Sequence, residues 1–363
     1  MRANYALEHG TEALSMCVRK AVNEMLGSLA EDAGIRREDV FQVCVVGNTC
    51  MHHLFLGISP ASLVHAPYTP AVSERLVLNA GDYGLAVQER AELIMLSDIA
   101  GYVGADTCGC LLAIRQDQQE EISLMIDIGT NGEMVLGNRE RMVTCSTAAG
   151  PAFEGAKIEC GMRGAAGAVD HVKYEEGKWN YTTVGNKPAV GLCGSGLIDL
   201  VAGLLDAGML DENGVLRSGQ EKQGVFILVP PERGGNERGV YLTQKDLGEV
   251  QLAKAAIAAG IQMLMERLGI TEDDICSVYI AGAFGNYMDP VSAGKIGLLP
   301  ATLVKKVKPV GNAAGEGAKI ALVNEKEMLE MDELVRKIEF VELAASADFQ
   351  DHFIDELGFE TGE

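Results

Sequence analysis

The sequence predicts an α/β protein built from two similar domains, the first of them incomplete. The main observation is an internal duplication, because residues 33–49 align without gaps with residues 268–284. In both segments a helix end is followed by an acidic turn, an apolar β-branched strand and a glycine. Each copy also has an amphipathic helix upstream, at 11–32 and at 243–268. Two copies of one α–β unit imply two related α/β domains that face each other.

Each copy is predicted to continue into a second apolar strand and a helix rich in small residues. The small residues occupy 99–106 in the first copy and 310–318 in the second. Glycine and alanine allow two helix backbones to approach closely. We therefore predict that these two helices cross each other at a hinge.

The predicted boundaries follow from the positions of these elements. The remainder of the first domain occupies 1–118, and the second domain occupies 119–345. Residues 346–363 are predicted to form a terminal amphipathic helix. Residues 211–240, rich in Gly, Glu, Pro and Arg, are predicted to form an irregular surface loop.

Composition limits the classes of function and the kinds of partner. The chain has 363 residues, of which 47% are hydrophobic, enough for two cores. It has no run of eighteen apolar residues and no signal pattern, so neither a membrane span nor export is indicated. Nine cysteines without a disulfide pattern favour a reducing cytoplasm. The formal charge of −22 disfavours nucleic acid as a partner.

The first candidate site is a tight polar turn between two strands, within residues 122–138. The turn consists of Gly129, Thr130, Asn131 and Gly132. Its backbone N–H groups can point at an anion, which is typical of a phosphate-binding loop. Asp127 precedes the turn and is the candidate ligand of a hydrated Mg²⁺ and a candidate catalytic residue. An ordinary hairpin would use the same residue types, so the turn alone leaves both interpretations open.

Two further segments offer chemistry that suits a nucleotide. Gly194, Ser195 and Gly196 open a helix whose free N–H groups can face phosphate, although tight packing on a sheet would also explain them. Glu154 is the only acid in a turn of small residues. We hypothesise that Glu154 is catalytic and orients the attacking water or the metal; a capping carboxylate is the alternative.

Other reactive residue types are interpreted as packing. Cys50, His52 and His53 suggest a metal site, but adjacent residues on a short helix point apart, so a packing or interface role is favoured over zinc binding. Cys108 and Cys110 lie on a helix of small residues and are predicted to pack closely. The sequence lacks the Walker A, G-x-S-x-G and H-E-x-x-H motifs, so P-loop, serine-hydrolase and zincin functions are excluded.

Ordered motifs along nearly the whole chain resemble the actin-like ATPase domain of the reductive activators of corrinoid proteins. The turn after Asp127 resembles the second phosphate loop of the actin, sugar-kinase and heat-shock-chaperone ATPases. Residues 278–285 resemble their adenosine-side strand and glycine turn. The segments that match are 45–57, 97–107, 122–138, 145–163, 191–200, 243–257, 279–290 and 310–319.

This resemblance implies two ribonuclease-H-like (actin-like ATPase) domains that use ATP and Mg²⁺. In the superfamily the nucleotide lies between two such domains. Besides the turn and the helix start at Gly194, the resemblance implies nucleotide binding by a set of adenosine-side residues. These are Gly282, Ala283, Phe284, Gly285, Asn286, Gly311 and Asn312.

The family resemblance also implies an activity. Such activators use ATP to drive an electron from an iron–sulfur centre onto an inactivated cobalamin. We therefore expect the ATP-binding core of a reductive activator, which couples ATP hydrolysis to reduction of cob(II)amide to cob(I)amide in a methyltransferase system. The expected partner is a corrinoid protein, and the resemblance together with an unpaired sheet edge implies a homodimer.

Two departures from the family pattern limit these expectations. The cysteines lack the C-x₄-C-x₂-C spacing of a plant-type 2Fe–2S domain, so we expect no iron–sulfur cluster in this chain. Only the first ten residues precede the helix predicted at 11–32, too few for three strands and a first phosphate loop. We therefore expect either a shortened form of a longer protein or one product of a split gene. Weak or absent ATP hydrolysis would follow, because half of the phosphate clamp is missing.

Two alternatives remain open from the sequence. A small-molecule or acid kinase of the same superfamily would need a substrate pocket beside a catalytic carboxylate. A nucleotide-dependent docking module that does not hydrolyse ATP would need only the binding half of the site. Reduction of a cob(II)amide protein, phosphorylation of a small acid, or binding without either reaction distinguishes the three.

Overall fold

The protein is a mixed α/β fold, as predicted, and divides into two compact units. The computed structural model describes residues 2–217 and 224–359. The first unit comprises the chain up to Glu120 together with Asn138–Met142 and Asn312–Phe340. The second unit comprises Glu121–Gly137, Val143–Gly311 and the chain from Val341 onward.

The elements are numbered in chain order. The first are α1 (Arg2–His9), α2 (Glu12–Ala33), β1 (Gln42–Val45), α3 (Thr49–Leu56), β2 (Leu76–Asn79), β3 (Glu92–Met95) and α4 (Ala105–Ile114). They are followed by β4 (Ile122–Ile128), β5 (Gly132–Gly137), β6 (Met142–Thr147), β7 (Ala168–Glu175), β8 (Lys178–Thr183), β9 (Gly191–Leu192) and α5 (Gly194–Asp206). Next come β10 (Val225–Val229), β11 (Val240–Thr243), α6 (Gln244–Leu268), β12 (Ile275–Ala281), α7 (Gly282–Gly285), α8 (Pro290–Lys295) and β13 (Val307–Gly311). The last are α9 (Ala313–Val323), α10 (Glu325–Val335), β14 (Glu339–Phe340) and α11 (Ala347–Asp355).

The main sheet of the second unit positions the candidate site. Its strands lie in the order β13-β12-β4-β5-β6. Strand β12 runs parallel to both β13 and β4, and β4 runs antiparallel to β5. In this register Asp127 lies opposite Ala281 on one side and Glu133 on the other. Because β4 and β12 are parallel, their carboxyl ends meet at the same edge of the sheet, which is where ligands bind in open α/β sheets.

Helix α6 packs across the core of the second unit. The Thr243 hydroxyl accepts a hydrogen bond from the backbone N–H of Asp246, and the Asp246 carboxylate accepts one in return from the Thr243 N–H. This reciprocal cap fixes the start of the helix, and Gly269 at φ +72° ends it. The predicted helices at 11–32 and 243–268 are both confirmed, at Glu12–Ala33 and Gln244–Leu268.

One glycine inside α6 gives a prediction about stability. A Cβ at Gly248 would meet no atom within 4 Å. Alanine restricts the unfolded chain and favours helix, so Gly248→Ala should raise the free energy of unfolding by about 0.5–1 kcal/mol. Chemical denaturation followed by circular dichroism measures this change. A midpoint equal to or below that of the unaltered protein would contradict it.

The small-residue helices lie closer together than side chains would permit. Helices α4 and α9 both belong to the first unit. A Cβ at Gly317 would lie 1.9 Å from the backbone oxygen of Gly109, and a Cβ at Gly109 would lie 2.6 Å from that of Ala314. The predicted need for small residues at this crossing is thus confirmed.

Two sequence predictions about elements are corrected. Residues 99–104 were expected to begin the small-residue helix, but α4 starts only at Ala105. The preceding residues fold into a tight loop, in which a Cβ at Gly104 would lie 2.4 Å from the oxygen of Gly47. The irregular loop predicted at 211–240 contains β10, whose apolar run buries Phe226 and pairs with β11. Residues 218–223 of that loop lie outside the described residues.

The terminal helix and the first-unit sheet complete the fold. Phe349 and Phe353 of α11 pack against the core of the second unit, while residues 360–363 lie outside the described residues. In the first unit, β1 runs parallel to β3, and β2 runs antiparallel to β3 at the other side. Phe55 of α3 and Leu93 of β3 belong to the core beneath this small sheet.

Candidate functional site

A cleft of about 670 Å³ lies in the second unit at the carboxyl ends of β4 and β12. Sequence segments that are far apart in the chain converge on it. Its lining includes the turn after β4, the turn that holds Glu154, the helix start at Cys193, and Gly282. The complete lining is Asp127–Gly129, Phe153, Glu154, Met162–Gly164, Asp170, Val184, Gly185, Cys193–Ser195, Gly282 and Tyr287.

The turn between β4 and β5 forms as predicted. The backbone N–H of Gly129 donates to the oxygen of Asn131 at 2.9 Å, which closes the turn. The Thr130 hydroxyl donates to Oε2 of Glu154 at 3.0 Å. This bond joins two candidate residues that are separated by 24 positions in the sequence. The Asn131 amide donates to Oε1 of Glu133 at 3.2 Å and so points back along the hairpin.

Gly132 has a packing role in the structure. A Cβ at this position would lie 2.9 Å from Oγ1 of Thr147 and 3.2 Å from Cγ1 of Ile257. The hairpin can therefore approach α6 closely only with glycine at this position. A role of Gly132 in nucleotide binding remains a prediction.

Glu154 lies exposed in an irregular turn between buried neighbours. Phe153 is buried, and Gly155 at φ +78° is packed against the next loop, where its Cβ would lie 2.6 Å from the nitrogen of Met162. The turn is thus fixed on both sides of the carboxylate. The carboxylate accepts the bond from Thr130, which places it beside the turn that follows β4.

The start of α5 packs closely on the sheet, and its phosphate-binding role remains a prediction. Gly194 and Ser195 line the cleft, and no side chain caps the first turn of this helix. The Ser195 hydroxyl donates to the backbone oxygen of Asp170 at 2.8 Å. A Cβ at Gly196 would lie 2.2 Å from the oxygen of Val169, so Gly196 allows the helix to pack on β7.

Gly282 brings the end of β12 against Asp127. It has φ +88°, and a Cβ there would lie 3.0 Å from Oδ1 of Asp127. The carboxylate therefore faces a position without a side chain. Tyr287, five residues further on, lines the cleft and is 62% exposed.

The remaining adenosine-side candidates have other contacts in the structure. Gly285 packs on Ile280, and a Cβ at Gly311 would lie 3.1 Å from Nδ2 of Asn286. The Asn312 side chain belongs to the first unit and caps α9 by accepting from the N–H of Gly315. The side chains of Ala283 and Phe284 lie outside the described part of the structure. Nucleotide binding by these residues remains a prediction.

Sequence reasoning missed several residues of the cleft. Asp170 lies on β7, and Arg163 lies in the glycine-rich loop before it. The only signal was that Arg163 ends the motif 145–163. The charged side chains that line the cleft are the carboxylates of Asp127, Glu154 and Asp170 and the guanidinium of Arg163. A polyphosphate entering the cleft therefore needs an added cation.

The histidine pair of α3 is buried, as predicted from packing. His53 makes contacts through both ring nitrogens, with the Thr49 oxygen at 2.8 Å and the Ala71 nitrogen at 2.9 Å. Nδ1 of His52 lies 3.2 Å from Oδ1 of Asp98. Within residues 2–217 and 224–359, no group of three or more His, Cys, Asp or Glu side chains has the arrangement of a metal site.

The two cysteines of α4 are also inaccessible to solvent. Cys108 and Cys110 are both fully buried. Burial raises the pKa of the Cys108 thiol well above its ordinary value. The prediction that they pack closely is confirmed.

Across the part of the chain described by the structure, no helix is long and apolar enough to span a membrane.

The mixed α/β fold with its cleft at the ends of β4 and β12 is that of an actin-like, or ASKHA, ATPase domain. Residues 121–363 match the C-terminal domain of RACo, described as the ASKHA domain, and residues 1–119 match the RACo middle region. The chain belongs to the RACo family.

Two relatives and one solved structure agree with this family assignment. The chain is 34% identical over 371 residues to the corrinoid activation enzyme RamQ of Eubacterium limosum, with 97% of this chain and 62% of RamQ covered. It is 29% identical over 303 residues to a Co(II) methylated amine-specific corrinoid protein reductase of Methanosarcina barkeri, covering 77% and 54% respectively. The solved structure of a reductive activator for corrinoid, iron–sulfur protein has a TM-score of 0.91 and 37% identity, covering 99% and 59%. The matches thus cover 54–62% of the length of these relatives.

Proposed function

We propose that this chain is the ATP-binding core of a reductive activator of corrinoid proteins. It couples ATP hydrolysis to the reduction of cob(II)amide to cob(I)amide, with a corrinoid protein of a methyltransferase system as its partner. The observation that carries this proposal is the cleft of the second unit, where Asp127, Glu154, the start of α5 and Gly282 converge in a RACo-family chain. The names of the relatives, which are activators and reductases of corrinoid proteins, support the substrate class.

The residues present suit ATP with its Mg²⁺. Magnesium is usually held by one or two carboxylates plus substrate phosphates and water, so Asp127 does not need a cluster of protein ligands. The space at Gly282, where a Cβ would lie 3.0 Å from Oδ1 of Asp127, keeps that carboxylate accessible. Bound Mg²⁺ would supply charge neutralisation at the phosphates.

The protein groups then have distinct roles in this proposal. The uncapped N–H groups at Gly194 and Ser195 bind phosphate oxygens, helped by the positive end of the α5 dipole. Glu154, held by Thr130, orients the attacking water.

The domain arrangement, the cellular location and the oligomeric state are also part of the proposal. The matches to an ASKHA domain support two ribonuclease-H-like domains. The boundaries predicted from the sequence, at residues 118 and 345, remain part of the proposal. Nine cysteines without disulfide pairs support a cytoplasmic location. The homodimer is proposed from the family resemblance.

The test combines binding with electron transfer. Isothermal titration calorimetry should show MgATP binding, and the protein should accelerate the loss of the cob(II)amide absorbance of a corrinoid protein supplied with reduced ferredoxin. The acceleration should require ATP and disappear with a non-hydrolysable analogue. Binding of MgATP without any reduction would contradict the activator function and favour a docking module. Phosphorylation of a small acid would favour the kinase.

A further inference from the structure

The cleft has an unusual charge pattern for a site that accepts a polyphosphate. The charged side chains of its lining are three carboxylates and the guanidinium of Arg163. Lys157, in the same chain segment, is paired with Glu249 at 2.8 Å, so its charge is already balanced. Mg²⁺ would offset the charge around Asp127, but the carboxylates of Glu154 and Asp170 would still leave the cleft acidic around the phosphates. Arg163 is the lining residue that can balance it.

The Arg163 side chain is exposed and makes no hydrogen bond or ion pair with another described residue. This is notable in a chain of charge −22, where Arg75 pairs with Asp332 and Arg141 with Glu339. The backbone around Arg163 is fixed nevertheless. The N–H of Met162 donates to the oxygen of Leu192 at 2.8 Å, and the oxygen of Arg163 accepts from the N–H of Ala165 at 2.7 Å.

Close packing places Arg163 on the same side of the cleft as Glu154. A Cβ at Gly161 would lie 2.1 Å from the oxygen of Gly155, and a Cβ at Gly155 would lie 2.6 Å from the nitrogen of Met162. The residue after Glu154 thus touches the residue before Arg163. Because Glu154 is itself bonded to the turn that follows β4, Arg163 lies beside the proposed phosphate end of the nucleotide.

We propose that Arg163 binds the terminal phosphate of ATP and so selects the triphosphate over shorter nucleotides. This inference rests on the proposed function, because it assumes that a nucleotide occupies the cleft. A guanidinium forms two parallel charge-assisted hydrogen bonds with phosphate oxygens, which a lysine cannot reproduce. The same contact stabilises the charge of the phosphoryl group during hydrolysis.

The experiment measures the affinity of MgATP, MgADP and adenosine for three variants by calorimetry. Arg163→Ala should weaken MgATP by about 10- to 100-fold, the range for a charge-assisted hydrogen bond, and weaken MgADP far less. Adenosine affinity should not change. Arg163→Lys should recover part of the MgATP affinity. Arg238→Ala is the matched control, because Arg238 is an exposed arginine of the same unit outside the cleft, and it should bind like the unaltered protein.

The outcomes separate this inference from the function on which it rests. Equal weakening of all three ligands by Arg163→Ala, or no weakening of MgATP, would overturn the role of Arg163 while nucleotide binding itself stands. An unaltered protein that binds none of the three ligands would overturn both. A thermal unfolding midpoint of Arg163→Ala equal to that of Arg238→Ala is expected, since both side chains are exposed and neither forms a hydrogen bond or ion pair with another described residue.

Discussion

The Gly317→Ala variant is expected to lose about 3 kcal/mol of unfolding free energy, because the added methyl cannot fit between α4 and α9. Its Cβ would lie 1.9 Å from the backbone oxygen of Gly109. A backbone atom cannot rotate away as the end of a long side chain can, so the two helices must separate. Separation removes contacts along both helices, and this loss exceeds the gain in helix propensity of about 1 kcal/mol from replacing glycine.

Thermal unfolding followed by circular dichroism measures this loss. A decrease of roughly 6–12 °C in the midpoint of the first unit is expected for a change of this size. Gly248→Ala is the matched control, because it makes the same chemical change inside α6 where no atom lies within 4 Å. If the two variants unfolded at the same temperature, the close approach of α4 and α9 would not contribute to stability.

The parts of the fold that sequence predicted correctly depend on local signals. Helix α6 has a reciprocal cap at Thr243 and Asp246, and a left-handed glycine at 269, and all three can be recognised within a few residues. The turn before β5 likewise has residue types that favour a hairpin wherever they occur. Residues 99–104 were wrongly predicted to be helical. They form a loop in which Gly104 packs against Gly47, and Gly47 is too distant in the sequence for a local pattern to indicate this contact.

The site was predicted only in part for the same reason. Asp127 and the Gly194 helix start carry recognisable motifs, and both line the cleft. Asp170 and Arg163 carry no motif of their own, and the folding of β7 and the loop before it brings them to the cleft. Glycine has two possible uses, close packing or ligand access, and a sequence does not distinguish them. The structure shows a packing contact at Gly196, against the oxygen of Val169.

Asp127→Asn is expected to have the largest effect on nucleotide binding, and its sign should depend on magnesium. With Mg²⁺ present, loss of the anionic ligand should weaken ATP binding by about 100-fold, the size typical for removing one partner of a close charge pair. Without Mg²⁺, the same change removes a negative charge that repels the phosphates. Affinity for metal-free ATP should therefore rise about two- to fivefold, as expected for a partly screened charge near a protein surface.

Calorimetric titration with ATP in magnesium and in EDTA measures both changes on the same preparations. Asparagine has nearly the shape of aspartate, and position 127 lies in a strand paired on both sides, so the fold should be retained. Asp273→Asn is the matched control, because Asp273 is an exposed aspartate of the same unit outside the cleft. A variant that bound more weakly by the same factor in both buffers would indicate that Asp127 shapes the cleft and does not hold the metal. The opposite signs are specific to a metal ligand, since a distorted cleft would weaken ATP binding whether or not Mg²⁺ is present.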